Sequence, residues 1–439
     1  MPNMLRIKEK LQTQSGIPCE VDELLGVGGQ GEVYKVTLAN KPMALKWYYP
    51  HSATPAQRQA LEVLVKKGAP NDKFLWPLEL VQIPSLTEYG YLMPLRERRY
   101  VGIVDLMMRR AQTTFRCLAT AGHQLADSYF RLHVSGMCYR DISFGNVFLD
   151  PANGEVLICD NDNVTVDGQT GGGVLGTSRF MAPEIVRSEA LPSTKTDRFS
   201  LAVLLFYMFM FHHPLEGKRE YAIHVLDMAA MTKIYGTEPL FIFDPHDHSN
   251  EPVKGYQDNA FIFWPIYPQF LRDLFTRAFT DGLRDPGNGR VLENEWRSAM
   301  VRLRDAIFYC QHCQAQNFYD VEALEKNGGK PNPCWKCKKE VQLPFRLRIN
   351  DNIIMLNHDT QLYPHHVDGH RKYDFSRPVA VVTRHPKDPN VWGLKNVSQE
   401  KWVLTKQGAP MQEVDVERSA TLAVGTKINF GKIVGEVRF

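Results

Sequence analysis

The chain has 439 residues, 44% of them apolar, which is too long for one hydrophobic core and apolar enough to build two or three. Its formal charge is only +3, with no long run of Lys or Arg, so electrostatics gives no basis for a nucleic-acid or anionic-membrane partner. Eight cysteines are present, but four are scattered singly (Cys19, Cys117, Cys138, Cys159) and four form two tight pairs, which points to a metal in a reducing compartment.

The opening MPNMLRIKEKLQTQSG carries polar and charged residues where a secretory signal needs a continuous apolar stretch, so no export signal is read and a cytoplasmic location is expected. Residues 20 to 95 alternate short β-like runs with turns and contain one amphipathic segment, Gln57 to Lys67, which predicts a small sheet carrying one helix. Within it, Gly26-Val27-Gly28-Gly29-Gln30-Gly31-Glu32-Val33 is a G-x-G-x-x-G-x-V run lying in strand-like sequence. Such glycines let backbone amides approach phosphates, although an ordinary glycine hairpin has the same look. Fifteen residues past Gly31, Lys46 ends the apolar run MALK, where an unpaired ammonium is costly. Glu62, the carboxylate of the following helix, is the expected partner.

From about residue 100 the pattern turns helical. Phe115 to Val134 places apolar residues at three- and four-residue spacings, and Leu201 to Phe211 is eleven residues long, far short of the roughly twenty needed to cross a bilayer, so it reads as a buried helix. Between the two lies Tyr139-Arg140-Asp141-Ile142-Ser143-Phe144-Gly145-Asn146, an R-D-x-x-x-x-N loop. Asp160-Asn161-Asp162 follows the apolar run VLIC, and Gly176-Thr177 and Ala182-Pro183-Glu184 come after it. Residues 217 to 268 lack periodicity and read as a loop-rich insertion.

In order and spacing these elements resemble the protein kinases, over roughly residues 20 to 305. The resemblance implies a glycine loop of Gly26, Val27, Gly28, Gly31 and Val33 over ATP, with Lys46 and Glu62 placing the α- and β-phosphates. It also implies a hinge at Tyr91 to Leu95, with Met93 and Leu95 beside the adenine. Asp141 would orient the attacking hydroxyl, and Asn146 and Asp160 would hold magnesium. Asp197 stands where kinases anchor the catalytic loop, and Arg290 where they pair the A-P-E glutamate.

Four positions depart from the pattern. Tyr139 replaces the histidine before Arg-Asp, Ser143 replaces a lysine that steadies the γ-phosphate, and Asn161 and Asp162 replace the apolar residue and glycine of D-F-G. Asp162 is a second carboxylate that could recruit metal or raise neighbouring pKa values. Arg140 suggests pairing with a phosphorylated Thr170, with Thr177 structural.

In the tail, Cys310-x2-Cys313, a 20-residue spacer and Cys334-x2-Cys337 match two knuckles closing a tetrahedral zinc site, with two disulfides as the alternative. His312, His246 and His248 read as loop residues. Residues 345 to 439 show repeated short β runs, which suggests a small all-β sandwich, and its last strands resemble a forkhead-associated domain without that family's phosphothreonine-binding residues. Kinase, ribbon and sandwich in this order resemble the bacterial kinases of tellurite-resistance-associated phosphorylation triads. That resemblance implies a von Willebrand A-type partner and a PP2C-type phosphatase as counterpart.

The expected fold is therefore α+β: a bilobal kinase (lobes 1–95 and 96–307), a zinc ribbon (308–342) and a β-sandwich (343–439). The expected function is an ATP- and magnesium-dependent serine/threonine protein kinase acting on a partner protein and on itself. A nucleotide-binding pseudokinase that assembles partners through its tail is the alternative.

Overall fold

The computed structural model describes residues 4–83, 86–168 and 175–439. The chain divides into two units, one of Met1–Trp264 with Asp273–Ser298 and one of Pro265–Arg272 with Ala299–Phe439.

The first unit opens with six strands: β1 (Lys10–Thr13), β2 (Pro18–Val27), β3 (Gly31–Leu38), β4 (Lys41–Tyr48), β5 (Glu79–Gln82) and β6 (Tyr89–Pro94). They close into an antiparallel barrel in the order β1-β2-β3-β4-β6-β5. Strand β1, which the sequence reading did not include, completes the closure by pairing Gln12 with Gln82 and Thr13 with Val81. Its four residues, KLQT, are too few and too polar to register as a strand, yet they alternate exposed and buried.

Helix α1 (Pro55–Lys67) crosses between β4 and β5. Thr54 caps it by accepting from the Gln57 N–H at 3.2 Å, Pro55 sits at its first position, and Gly68 stops it at φ 78°. Leu61 and Leu64, three residues apart, bury its inner face.

Beyond the barrel come β7 (Val101–Gly102), α2 (Ile103–Met107) and the long α3 (Phe115–Val134), capped by Thr114. Leu118, Ala121, Leu125, Tyr129 and Leu132 of α3 are buried at the spacing the sequence shows. Short strands follow: β8 (Met137–Cys138), β9 (Val147–Leu149), β10 (Val156–Ile158) and β11 (Thr165–Val166). They form a three-stranded sheet, β10-β9-β7, and a two-stranded one, β11-β8, so the segments 139–146 and 159–164 are loops held at both ends by strands.

After α4 (Pro183–Val186), helix α5 (Thr194–Met210) starts in a Ser193/Thr196 capping box and is buried on nearly every side, which accounts for its continuous apolar sequence. Among the described residues no helix is long and apolar enough to cross a membrane.

The segment expected as a loop-rich insertion holds short helices: α6 (Lys218–Tyr221), α7 (Met228–Thr232), a π turn (Lys233–Thr237), a 3₁₀ turn (His248–Asn250) and α8 (Asp258–Phe263). Pieces of three to six residues show no detectable period. What orders them is buried amide side chains: Asn250 donates to the Leu215 and Leu240 carbonyls at 3.0 and 2.7 Å, and Gln257 donates to the Gly217 carbonyl at 3.2 Å. Gly217 has no alternative there, because a Cβ would lie 1.8 Å from the Asn250 carbonyl oxygen. Helices α9 (Gln269–Phe279), α10 (Asp281–Arg284) and α11 (Glu293–Asp305) come next in the chain.

The second unit holds a hairpin, β12 (Ile307–Tyr309) with β13 (Gln316–Phe318), and α12 (Val321–Lys326). It continues with β14 (Arg346–Ile349), β15 (Asn352–Met355), β16 (Gln361–Leu362), α13 (Pro364–Val367), β17 (Ala380–Arg384) and β18 (Trp392–Asn396). It ends with β19 (Trp402–Thr405), β20 (Gln412–Val414), β21 (Ser419–Thr421), β22 (Lys427–Asn429) and β23 (Val434–Arg438). One antiparallel sheet runs β15-β14-β23-β22-β19-β20 and the other β16-β17-β18-β21. A single core joins Leu347, Ile354, Trp402, Ile428 and Val437 of the first sheet to Leu362, Val382, Leu394 and Ala420 of the second. The four-residue α13 interrupts an otherwise β region, and the cysteine segment lies in this same unit.

Candidate functional site

The glycine loop is the turn between β2 and β3, whose last pairs are Gly26 with Val33 and Val27 with Glu32. Gly31 is required by the fold itself: a Cβ there would meet the Trp47 carbonyl oxygen at 2.1 Å. Gly26 and Gly29 face open space, and a Cβ at Gly28 would make only an ordinary contact at 3.7 Å. The protein's own packing therefore does not demand these three glycines, and the room they leave fits a phosphate chain lying against the backbone.

Val33 of β3, Ala44 of β4, Met93 of β6 with Leu95 just after it, and Leu157 of β10 with Cys159 just after it belong to one apolar cluster. This lining suits a flat heteroaromatic base.

Lys46 is placed on β4 opposite Val33 on β3 and Tyr91 on β6, and it is buried. Its ammonium does not meet Glu62. It donates to both carboxylate oxygens of Asp162, at 3.0 and 2.8 Å, lies 3.5 Å from Asp160 and bonds the Gln30 side-chain oxygen at 3.2 Å. Glu62 instead pairs with Arg58 one turn back on the same helix, at 3.4 Å, with its side chain 46% exposed. The expected Lys46–Glu62 pair is thus replaced by Lys46–Asp162.

The Tyr48 hydroxyl donates to Asp162 at 2.5 Å and the Tyr91 hydroxyl at 3.1 Å, so each oxygen of Asp162 carries a lysine and a tyrosine bond. Burial would raise the pKa of this carboxyl, but Lys46 and the two hydroxyls outweigh it and hold it below the usual value. With both oxygens taken, Asp162 is filled by the protein itself rather than offering itself to a metal.

Asp160 follows Cys159 in the left-handed region, at φ 50° and ψ 44°, with its carboxylate 44% exposed. The surrounding protein mass raises its pKa first, Lys46 opposes that, and the neighbouring Asp162 adds to it, as expected of a second carboxylate nearby. Asn161, which stands in place of the apolar residue of D-F-G, is fully buried. Its amide donates to the Leu75 and Ile158 carbonyls at 2.8 and 2.9 Å and pins the turn to the segment before β5 and to the end of β10.

The catalytic-loop candidates come from the segment between β8 and β9. Asp197 on α5 accepts from the backbone N–H groups of Tyr139 and Arg140, at 2.5 and 3.0 Å. Asn146 donates its side-chain amide to the carbonyl and the carboxylate of Asp141, at 2.9 and 3.0 Å. Two bonds stitch this loop to the strand before Asp160: the Cys159 N–H donates to the Asn146 carbonyl at 2.9 Å, and the Tyr139 hydroxyl donates to the Cys159 carbonyl. Tyr139 is fully buried and acts as a strut. Ser143 is buried too, with its carbonyl accepting from the Asn146 N–H at 3.2 Å, and it brings no charge to the loop.

The Thr177 hydroxyl donates to Asp141 at 2.7 Å, so the residue read as structural touches the central carboxylate. Glu184 and Arg290 form a bidentate pair at 2.7 and 2.8 Å. Arg140 is committed to the Asn163 carbonyl at 3.0 Å, and Thr170 lies outside the described residues.

Sequence reasoning missed Tyr48, Tyr91 and the contact made by Thr177. A signal for Tyr48 was present, since a strand's period of two puts it on the same face as Lys46.

In the second unit the four cysteines sit in two matching knuckles. The Gln314 N–H returns to the Cys310 carbonyl and the Lys338 N–H to the Cys334 carbonyl, with Gln314 and Lys338 both left-handed, at φ 59° and 61°. The sulfurs are free, lie within 4.8 Å of one another, and approach to 3.7 Å in the pairs Cys310–Cys337 and Cys313–Cys334. A disulfide needs about 2.05 Å, whereas the edge of a tetrahedron with Zn–S bonds of about 2.3 Å is about 3.8 Å. The donor set fits a tetrahedral zinc ion.

Comparison with known proteins agrees with the first unit's geometry. The protein kinase domain family matches residues 19–262, more than half of the chain, and the chain belongs to that family. It is 33% identical to human ribosomal protein S6 kinase alpha-4 over 232 residues, covering 49% of this chain and 29% of that protein. The mouse protein of the same name is 34% identical over 104 residues, covering 22% and 13%. Protein kinase gsk3 of Schizosaccharomyces pombe is 26% identical over 160 residues, covering 36% and 38%. The chain thus spans well under half the length of each of these relatives.

Proposed function

We propose that this protein is an ATP- and magnesium-dependent serine/threonine protein kinase that phosphorylates a partner protein and itself. The observation that carries the reading is Asp141, held by the Asn146 amide and the Thr177 hydroxyl in a loop that Asp197 fixes. A carboxylate positioned this way can orient a substrate hydroxyl and accept its proton as the oxygen attacks. Lys46 orients the α- and β-phosphates, and the backbone of Gly26 to Gly31 covers them. Asn146 and Asp160 would hold magnesium, which when bound neutralises charge on the phosphates. Relatives whose names say serine/threonine-protein kinase also align with the chain, one of them from Zea mays at 24% identity over 208 residues, and they support the hydroxyl-directed chemistry. Phosphoamino-acid analysis after incubation with magnesium and labelled ATP tests it: phosphoserine or phosphothreonine is expected, and phosphotyrosine alone, or no label, overturns the reading.

We read Cys310, Cys313, Cys334 and Cys337 as the ligands of a structural zinc, with all four positions filled by sulfur and none open for catalysis. The two-sheet region is read as a forkhead-associated-like scaffold. The order of the segments supports placing the chain among the bacterial cytoplasmic kinases of the tellurite-resistance triads, with a von Willebrand A-type protein as substrate and a PP2C-type phosphatase as its counterpart. Labelling of a co-expressed von Willebrand A-type protein, with removal of the label by the phosphatase, is the expected outcome. Labelling of neither the partner nor the kinase itself counts against it.

A further inference from the structure

A lysine that must hold phosphates in one place needs a fixed anion behind it. Helix α1 offers one carboxylate for that task, Glu62, and it is turned along its own helix to Arg58, whose guanidinium also reaches the Gln82 side chain at 3.1 Å. The anions that Lys46 meets come from the other side, on the turn after β10: Asp162, 116 positions along the chain, bonds it at 2.8 Å through one oxygen and 3.0 Å through the other, while Asp160 stands farther off at 3.5 Å.

That turn is rigidly held. Asn161 ties it to the Leu75 and Ile158 carbonyls, and the Arg140 guanidinium ties its far end to the catalytic loop through the Asn163 carbonyl. Tyr48 and Tyr91, from β4 and β6, close the remaining sites on Asp162. Helix α1 reaches this seat through an uncharged group only: the Gln57 amide lies 3.3 Å from the Tyr48 hydroxyl and 3.4 Å from the Asp162 carbonyl.

We infer that Asp162 is the positioning residue for Lys46 and takes over the task that the helix carboxylate Glu62 was expected to perform. The inference rests on the proposed nucleotide site. Lys46 is then set by the barrel strands and the turn after β10, so its placement does not wait for α1 to swing its acid inward. Asp162 works through Lys46 and does not touch the nucleotide.

A double-mutant cycle on nucleotide affinity tests this, with the full-length protein titrated by the magnesium complex of a non-hydrolysable ATP analogue. Asp162→Asn is expected to weaken binding about tenfold, as when one partner of a buried charge pair is neutralised. In a Lys46→Met background the same change should have no further effect, because the group through which it acts is gone. A purely structural role would give equal losses in both backgrounds and would overturn the inference. Glu62→Gln, an exposed change that leaves the core intact, is expected to alter affinity less than about twofold. A tenfold loss there returns the task to the helix and refutes the role of Asp162, even if Asp162→Asn does not fold. Failure of the native protein to bind the analogue overturns the kinase reading and this inference together, whereas binding with additive losses overturns only the inference.

Discussion

The two clusters of this molecule are assembled in opposite ways. The four cysteines come from two turns, each spanning four residues and folded to the same hydrogen-bond pattern, so the ligand geometry is written into local spacing. The proposed phosphate site draws Lys46, Asp141, Asn146, Asp160 and Asp162 from a strand, a loop and a turn, and its geometry exists only once the barrel and the helical region have formed. A locally built site is expected to fail with its ligand; a site built at long range should fail with any member of the frame that carries it.

The largest effect is expected at the cysteines. Structural zinc contributes roughly 10–16 kcal/mol of apparent folding free energy in small domains, so Cys334→Ser with Cys337→Ser should remove about one zinc per chain and unfold the surrounding segment. Metal analysis with thermal melting checks this, and zinc retained by the double variant would erase the contrast.

Next comes the frame of the distant site. Arg290 is 5% exposed and pairs with Glu184, so Arg290→Met leaves a largely buried carboxylate alone and should cost about 3 kcal/mol, read from the urea midpoint of the first unit.

A smaller change follows from His133, enclosed by Asp197, Glu293 and, through Glu293, Arg198. Burial disfavours its protonated form, but the two carboxylates prevail and raise its pKa to about 9. A raised folded-state pKa contributes stability that is complete below the unfolded value of about 6.5 and is lost as pH rises through about 9. Urea midpoints should therefore fall between pH 6.5 and 9.5. A flat profile contradicts a protonated His133 paired with Asp197, the residue that holds the Tyr139 and Arg140 backbone. The smallest effect belongs to Glu62→Gln, expected to change the transfer rate less than about twofold, in line with an exposed pair on one helix.

Legibility from sequence followed the same division. The cysteine knuckles, the R-D-x-x-x-x-N loop and the Asp160 turn were readable because each places its chemistry at a short fixed spacing. The Lys46 partner was misassigned because two carboxylates were available. Helical register favoured Glu62, while the choice of Asp162 depends on how the β10 turn packs against β4 and β6, which no local pattern encodes. The same holds for β1 and for the helices between 217 and 264, whose order comes from strand pairing at long sequence separation and from buried amides. Thr177 was noticed, but only the folded chain shows its hydroxyl on Asp141.

The most direct measurement is the single-turnover rate of phosphate transfer from labelled ATP with magnesium, taken for the native protein and for Asp141→Ala side by side. A native rate exceeding that of the variant by about 10²–10⁴-fold is expected of a carboxylate that accepts the hydroxyl proton. Equal rates, or no transfer by either protein, would contradict the assignment of this site as a phosphotransferase centre.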